Sequence, residues 1–252
     1  MKLLKVDGAI ALVTGANRGI GRALSEALLG RGVKKIYAAA RDPVTLGGLR
    51  DARLVPLRLD VTDPQQVRAA GAAAQDVQLV FNNAGVVLNS EIAGENALEH
   101  ARHEMEVNYF GALQMLREFS AILARNGGGA LLNVGSLAGL TNIAFFPTYS
   151  ASKAALHSLT QAARVLLSAQ GTAVFGAYPG PVDTDMVRDL AMPKAPAADV
   201  ARAILDGLER GQEDIFPDSF AMEFGRQFEA SPKASERQAA AMVAGAAEGS
   251  AA

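Results

Sequence analysis

Short apolar runs alternate with stretches of helical periodicity, and this alternation constrains the chain more than any other feature. Residues 9–14 are apolar without interruption and run into Gly15, as expected of a strand buried on both faces. Ile20, Leu24, Ala27 and Leu28 then recur at helical spacing until Gly30 and Gly32 stop the helix. The same pair of signals repeats. Strands are predicted at 35–40, 54–59, 77–81, 130–134 and 173–178, with a short last one at 214–216. Asp42 opens a short helix, and Asp63-Pro64 caps one reaching about residue 74. Residues 97–125 read as a long helix with breaks near Asn108 and Gly111, residues 149–169 as another, and a last helix ends near 208. Such alternation predicts a parallel sheet covered on both faces, with right-handed crossovers. Open sheets of this kind bind ligands at the carboxyl ends of their strands, where the strand order reverses.

Composition narrows the function. Half of the 252 residues are hydrophobic and 20% are charged, which suits a packed core and excludes a disordered chain. With no linker signal, residues 1–252 are read as one domain; about 183–212 would carry a substrate loop and lid. The tail from about 231 to 252 is rich in Ala, Ser and Gly, and reads either as a frayed helix or as flexible. A net charge of −2 leaves no basic footprint for nucleic acid or an anionic membrane. Cysteine is absent, which excludes a thiolate nucleophile and a cysteine-ligated metal. His100 and His103 share a helical face but read as solvated, so no metal is expected. Lys2 and Lys5 precede a short apolar run that Asp7 and Gly8 keep from resembling a signal peptide. The expectation is a soluble, cytoplasmic protein.

The first strand leads into Thr14-Gly15-Ala16-Asn17-Arg18-Gly19-Ile20-Gly21 and then a helix. A glycine turn at a helix start offers free N–H groups and the positive end of the helix dipole to a diphosphate. The competing reading is a tight turn with packing glycines. The second strand ends in alanine rather than in a carboxylate that would hold an adenosine ribose; Arg41 follows it. Arg41 and Arg18 suit a 2′-phosphate, which favours NADP over NAD. Asp42 either repels that phosphate or caps the following turn. Asn82-Asn83-Ala84-Gly85 follows the fourth strand, where small residues admit a flat ligand and Asn side chains tie strands together.

Tyr149 and Lys153 stand one helical turn apart and share a face. A neighbouring ammonium stabilises phenolate, so Lys153 is expected to lower the Tyr149 pKa. Ser136 follows the fifth strand and reaches the same rim, where its hydroxyl can hold a carbonyl oxygen. No G-x-S-x-G elbow surrounds it, which argues against a hydrolase.

Taken together and in order, the glycine turn, Asn82-Asn83-Ala84-Gly85, Asn108, Ser136, Tyr149-x-x-x-Lys153 and Pro179-Gly180 resemble the short-chain dehydrogenase/reductase family, over about residues 9–185. The resemblance implies a Rossmann-type doubly wound α/β sheet of about seven strands, and an oxidoreductase. Tyr149 would be the acid in reduction and the base in oxidation. Lys153 would bind the nicotinamide ribose, Ser136 would orient the carbonyl, and Asn108 would hold a relay water at a helix irregularity. Gly15, Asn17, Arg18, Gly19, Ile20 and Gly21 would line the diphosphate. Asp60 and Val61 would meet the adenine, and Asn83, Ala84 and Gly85 the adenosine ribose region. Pro179, Gly180, Val182 and Thr184 would contact the nicotinamide end. NADP(H) is the expected cofactor, with NAD as the alternative. Residues 214–218 depart from the strand that many family members use for tetramer packing, since Pro217 cannot donate to a ladder. That points to a homodimer, with a tetramer as the alternative. Leu137, Leu140, Phe145, Phe146, Met186, Val187, Leu190 and Met192 fall near the rim and suggest an apolar or aromatic carbonyl or alcohol substrate. A cofactor-sensing protein without catalysis is the rival reading; the intact Ser136, Tyr149 and Lys153 set speaks against it.

Overall fold

The computed structural model describes residues 4–88, 92–188 and 190–249. Its sheet strands are β1 (Ile10–Thr14), β2 (Lys35–Ala40), β3 (Leu54–Arg58), β4 (Leu79–Asn82), β5 (Gly129–Val134), β6 (Thr172–Ala177) and, after two short strands, β9 (Asp214–Ile215). They form a seven-stranded sheet in the order β3-β2-β1-β4-β5-β6-β9, and each pairing is parallel. The chain therefore builds outward from β1 to β3, returns to lay β4 beside β1, and builds outward the other way. β7 (Val182–Asp183) and β8 (Ala195–Pro196) make a separate small ladder.

The helices are α1 (Gly19–Gly30), α2 (Pro64–Ala73), α3 (Ala97–Met105), α4 (Ala112–Arg125), α5 (Pro147–Ser168), α6 (Ala197–Glu209), α7 (Ser219–Ala230) and α8 (Pro232–Gly249). β1 is apolar throughout because each of its faces meets a helical layer. Ala11 and Val13 pack with Leu24 and Leu28 of α1 and Ile204 and Leu208 of α6. Ile10 and Leu12 pack on the other side with Val67 of α2, Met115 and Phe119 of α4, and Ala163 of α5. Each fully buried large side chain of this kind contributes roughly 1.5–3 kcal/mol. β3 lies at the edge, where Pro56 is exposed and its missing donor is harmless.

The structure specifies several expectations more closely and adds one helix. The helix after Asp42 is only a 3₁₀ turn, Pro43–Leu46, and the Asp42 side chain caps it by accepting from the Val44 N–H at 3.0 Å. The breaks expected near Asn108 and Gly111 are one π-helical turn, Glu106–Gly111, between α3 and α4. There Gly111 lies against the loop after β3: a Cβ on it would meet Val61 Cγ2 at 2.6 Å. β9 stops at Ile215, because Phe216 turns its ring onto Tyr178, with centroids 5.8 Å apart. Beyond it, α7 was not foreseen, and the Ala-rich tail is helical over Pro232–Gly249. Among the described residues, no helix is long and apolar enough to cross a membrane.

Candidate active site

β1 and β4 are neighbours whose onward connections run in opposite directions, and such a reversal opens a crevice above the strand ends. A cleft of about 800 Å³ lies there. On one side is the glycine turn. Gly15 and Gly19 hold left-handed φ of 66° and 53°, which favours glycine at both. No side chain caps α1, so its first N–H groups remain available to an anion. Thr14 joins this turn to the loop after β4: its hydroxyl accepts from the N–H groups of Asn83 and Ala84, both at 2.9 Å. Asn83 Nδ2 donates to Thr14 O at 2.9 Å. Deeper in the sheet, Asn82 Nδ2 donates to Asn133 Oδ1, and Asn133 Nδ2 to Thr160 Oγ1, each at 2.9 Å. The expected tie between strands is thus present, and Thr14, a strand-end hydroxyl, is the anchor that sequence reasoning passed over.

Gly15, Asn17, Arg18, Gly19, Ile20, Arg41, Asp60, Val61, Asn83, Ala84 and Gly85 all line the cleft. So do Ser136, Tyr149, Lys153, Pro179, Gly180, Val182 and Thr184. Two expected residues do not. Gly21 packs behind the turn, where a Cβ would stand 2.2 Å from Gly15 O and 2.4 Å from Asn83 Nδ2. Asn108 is buried behind the wall: its Oδ1 accepts from Val86 N at 2.8 Å, and its Nδ2 donates to Val86 O and Ser152 Oγ, both at 2.9 Å. The two arginines also separate. Arg41 is exposed at the rim beside Asp42 and Thr45, whereas Arg18 leans toward Asp185, at 3.9 Å, across the cleft mouth. Asp42 caps the following turn through Oδ1 and also lines the cleft beside Arg41. Asp60 is held by Thr62, whose N–H and hydroxyl donate to its Oδ1 at 2.9 and 2.7 Å.

Lys153 is 4% exposed, and its Nζ donates to Val134 O at 2.8 Å. The same Nζ lies 5.8 Å from the centre of the Tyr149 ring. Gly85 leaves room for this approach, since a Cβ on it would meet Asn108 Oδ1 at 3.1 Å and Lys153 Nζ at 3.5 Å. Burial lowers the Lys153 pKa to about 8. Burial also pushes Tyr149 up to about 12; a hydrogen bond with Ser136 opposes the rise, and negative charge on Glu104 adds to it. The expectation that Lys153 would bring Tyr149 down is corrected here: loss of solvent around the phenol dominates. Ser136 also caps the 3₁₀ turn Leu137–Gly139 by accepting from Ala138 N at 3.2 Å.

The rest of the cleft is largely apolar. Leu137, Phe145, Phe146, Met186, Val187, Leu190 and Met192 line it as expected. Leu140 instead packs against the cluster of Leu137, Tyr178 and Phe224. Val86, Val87, His103, Ile143, Phe220 and Phe224 are additional walls. The last two belong to α7, which Asp218 fastens in place: its Oδ2 accepts from Gly180 N at 2.9 Å, and its Oδ1 caps the helix at Ala221 N, 2.8 Å away. An Asp N-cap followed by Phe220, Phe224 and Phe228 at helical spacing was the available signal.

Comparison with known proteins agrees with this architecture. Residues 9–194 match the short chain dehydrogenase family. Galactitol 2-dehydrogenase (L-tagatose-forming) from Cereibacter sphaeroides is 35% identical over 196 residues, 73% of this chain and 75% of that protein. A short chain dehydrogenase from Burkholderia cenocepacia J2315, solved in complex with NADP, superposes with a TM-score of 0.89 at 38% identity, covering 94% of this chain and 99% of its own. A relative from Burkholderia phymatum, solved with NAD, superposes with a TM-score of 0.78 at 26% identity, covering 88% of this chain and 93% of its own. With its reversal point, glycine turn and end-to-end likeness to a solved relative, the chain belongs to the short-chain dehydrogenase/reductase family of oxidoreductases.

Proposed function

We propose that the enzyme is an NADP(H)-dependent oxidoreductase that interconverts a ketone or aldehyde with its alcohol, on an apolar or aromatic substrate. The observation that carries this reading is the sharing of one largely apolar cleft by Ser136, Tyr149 and Lys153 with an uncapped glycine turn. The two left-handed glycines and the free helix start fit a dinucleotide diphosphate. Gly15, Asn17, Arg18, Gly19 and Ile20 hold that end; Asp60, Val61, Asn83, Ala84 and Gly85 take the adenosine; Pro179, Gly180, Val182 and Thr184 take the nicotinamide. When bound, the nicotinamide supplies or accepts the hydride.

Tyr149 is neutral near pH 7 and so carries the proton that a carbonyl oxygen needs during reduction. Ser136 donates a second hydrogen bond to the same oxygen as negative charge develops on it. Lys153 holds the nicotinamide ribose. Asn108, set in the π-turn, positions the water that reloads the proton. Arg41 at the adenosine rim supports a preference for the 2′-phosphate, against the neighbouring Asp42 carboxylate, whose Oδ1 is engaged in capping the turn. The polyol of the galactitol relative does not transfer readily, because Phe145, Phe146, Leu190 and Phe220 offer hydroxyl groups no partners. The reading includes a cytoplasmic setting, in keeping with a cysteine-free chain, and a homodimer through α4 and α5.

The test is NADPH oxidation against a panel of hydrophobic ketones and aldehydes, with Tyr149→Phe beside the wild type and NADPH binding measured for both. Turnover by the wild type, lost in a variant that still binds NADPH, is expected. Tight binding with no turnover on any substrate would favour a cofactor sensor, and absence of binding would remove the reading altogether.

A further inference from the structure

We propose that Asp185 competes with the cofactor for Arg18, and so keeps a bound dinucleotide easy to exchange. The inference rests on the reading of the glycine turn as a phosphate site. Arg18 is the N-cap residue of α1, beside the free N–H groups that would meet that phosphate. Its Nη1 lies 3.9 Å from Oδ2 of Asp185, the first residue of the 3₁₀ turn Asp185–Val187. The contact does not stand alone. Thr184 rests on the same glycine turn, where a Cβ on Gly19 would meet its Cγ2 at 3.2 Å. Two successive residues after β7 thus lie against two successive residues of the turn, and all four line the cleft.

One guanidinium therefore serves two anions. A phosphate matches the planar fork of an arginine as well as a carboxylate does. Asp185 is the anion that the chain itself supplies. Its Oδ1 also pairs with Arg188 Nη2, so the carboxylate keeps a counter-ion when Arg18 turns to the cofactor. Arg188 is held in its turn by Lys194, whose Nζ donates to the Arg188 carbonyl at 2.9 Å. The side chains of Arg18 and Asp185 are each about half exposed, so their pair is weak and the exchange of partners costs little. By linkage, the pair weakens phosphate binding by the same factor as the phosphate loosens the pair. A cofactor held less tightly leaves faster, and release is the step that limits turnover in many enzymes.

The experiment measures the Kd of NADPH and NADH by fluorescence titration, and NADPH release by stopped flow, without substrate. The proteins are the wild type, Asp185→Asn, Arg18→Ala and the double variant, with Asp183→Asn as control. Asp183 is an exposed carboxylate of β7, two residues from Asp185. Asp185→Asn is expected to tighten NADPH roughly two- to fivefold, the range of an exposed ion pair, and to slow its release by a similar factor. Asp183→Asn is expected to change little. Arg18→Ala is expected to weaken binding, and adding Asp185→Asn to it to change nothing further. Tightening of NADPH alone assigns Arg18 to the 2′-phosphate, and tightening of both cofactors assigns it to the diphosphate; either supports the inference. An unchanged Kd in Asp185→Asn would overturn it. So would equal tightening in Asp183→Asn, or the same tightening with Arg18 removed, since a diffuse charge effect gives those patterns. If Arg18→Ala binds too weakly to titrate, the contrast between Asp185→Asn and Asp183→Asn decides. A wild type that binds neither cofactor removes the dinucleotide reading and this inference with it, whereas binding that Asp185→Asn leaves unchanged removes the inference alone.

Discussion

Burial drives Tyr149 and Lys153 in opposite directions, and both become less willing to carry charge. The consequence can be read in pH. Oxidation needs phenolate, whose fraction grows tenfold per pH unit below the tyrosine pKa, so the oxidation rate is expected to climb with pH through the neutral range. Lys153 loses its proton as the pH rises through about 8, so oxidation levels off there and reduction, flat below, declines. Steady-state rates in both directions check this; oxidation independent of pH would remove Tyr149 from proton transfer. At the adenosine rim, Arg41→Glu is expected to raise the KM for NADPH roughly 10- to 100-fold, the equivalent of one lost charge-assisted hydrogen bond, with little change for NADH. Equal effects on both cofactors would remove the phosphate role. At the turn, Gly21→Ala drives a methyl into Gly15 O and is expected to cost about 1–3 kcal/mol in urea denaturation. Much at this scale was legible in the sequence, because spacing alone set Tyr149 over Lys153. The tyrosine pKa was not, because desolvation depends on what surrounds the phenol, and residues distant in sequence supply that.

At the scale of elements, legibility followed locality. Strands buried on both faces and helices closed by glycine announce themselves within a few residues, so β1, α1, β5 and α5 lay where the periodicity predicted. The break near Asn108 and Gly111 was legible too, but its π-helical form was not, because that answers to Gly111 meeting Val61 and to the bonds of Asn108 with Val86, contacts that no local propensity encodes. α7 had a local signal, but its place against the cleft is set by Asp218 reaching back to Gly180. Asp218→Ala removes both the cap and that bond. It is expected to destabilise the protein by about 1–2 kcal/mol and to raise the substrate KM several-fold. A change in stability without a change in KM would mean that α7 only packs. Phe220→Ala tests the wall directly, with a larger KM penalty expected for bulky ketones than for short ones.

For the whole molecule, the reversal of direction between β1 and β4 decides where the cleft opens, and the alternation of strands and helices was enough to predict a cleft at such a reversal. The proposed dimer can be tested on the outer surface of α5. Val165 and Leu166 of α5 are 74% and 75% exposed. The small residues Ala151, Ala154 and Ala162 of α5 also face outward, which allows a second helix to approach closely. Leu166→Glu is expected to convert a dimer into a monomer by light scattering; an unchanged mass would place the interface elsewhere. The position of α7 bears finally on synthesis. This wall is translated after every strand of the sheet, whereas the cradle between β1 and β4 comes early. During synthesis the cleft therefore gains Phe220 and Phe224 last, after the strands that frame it.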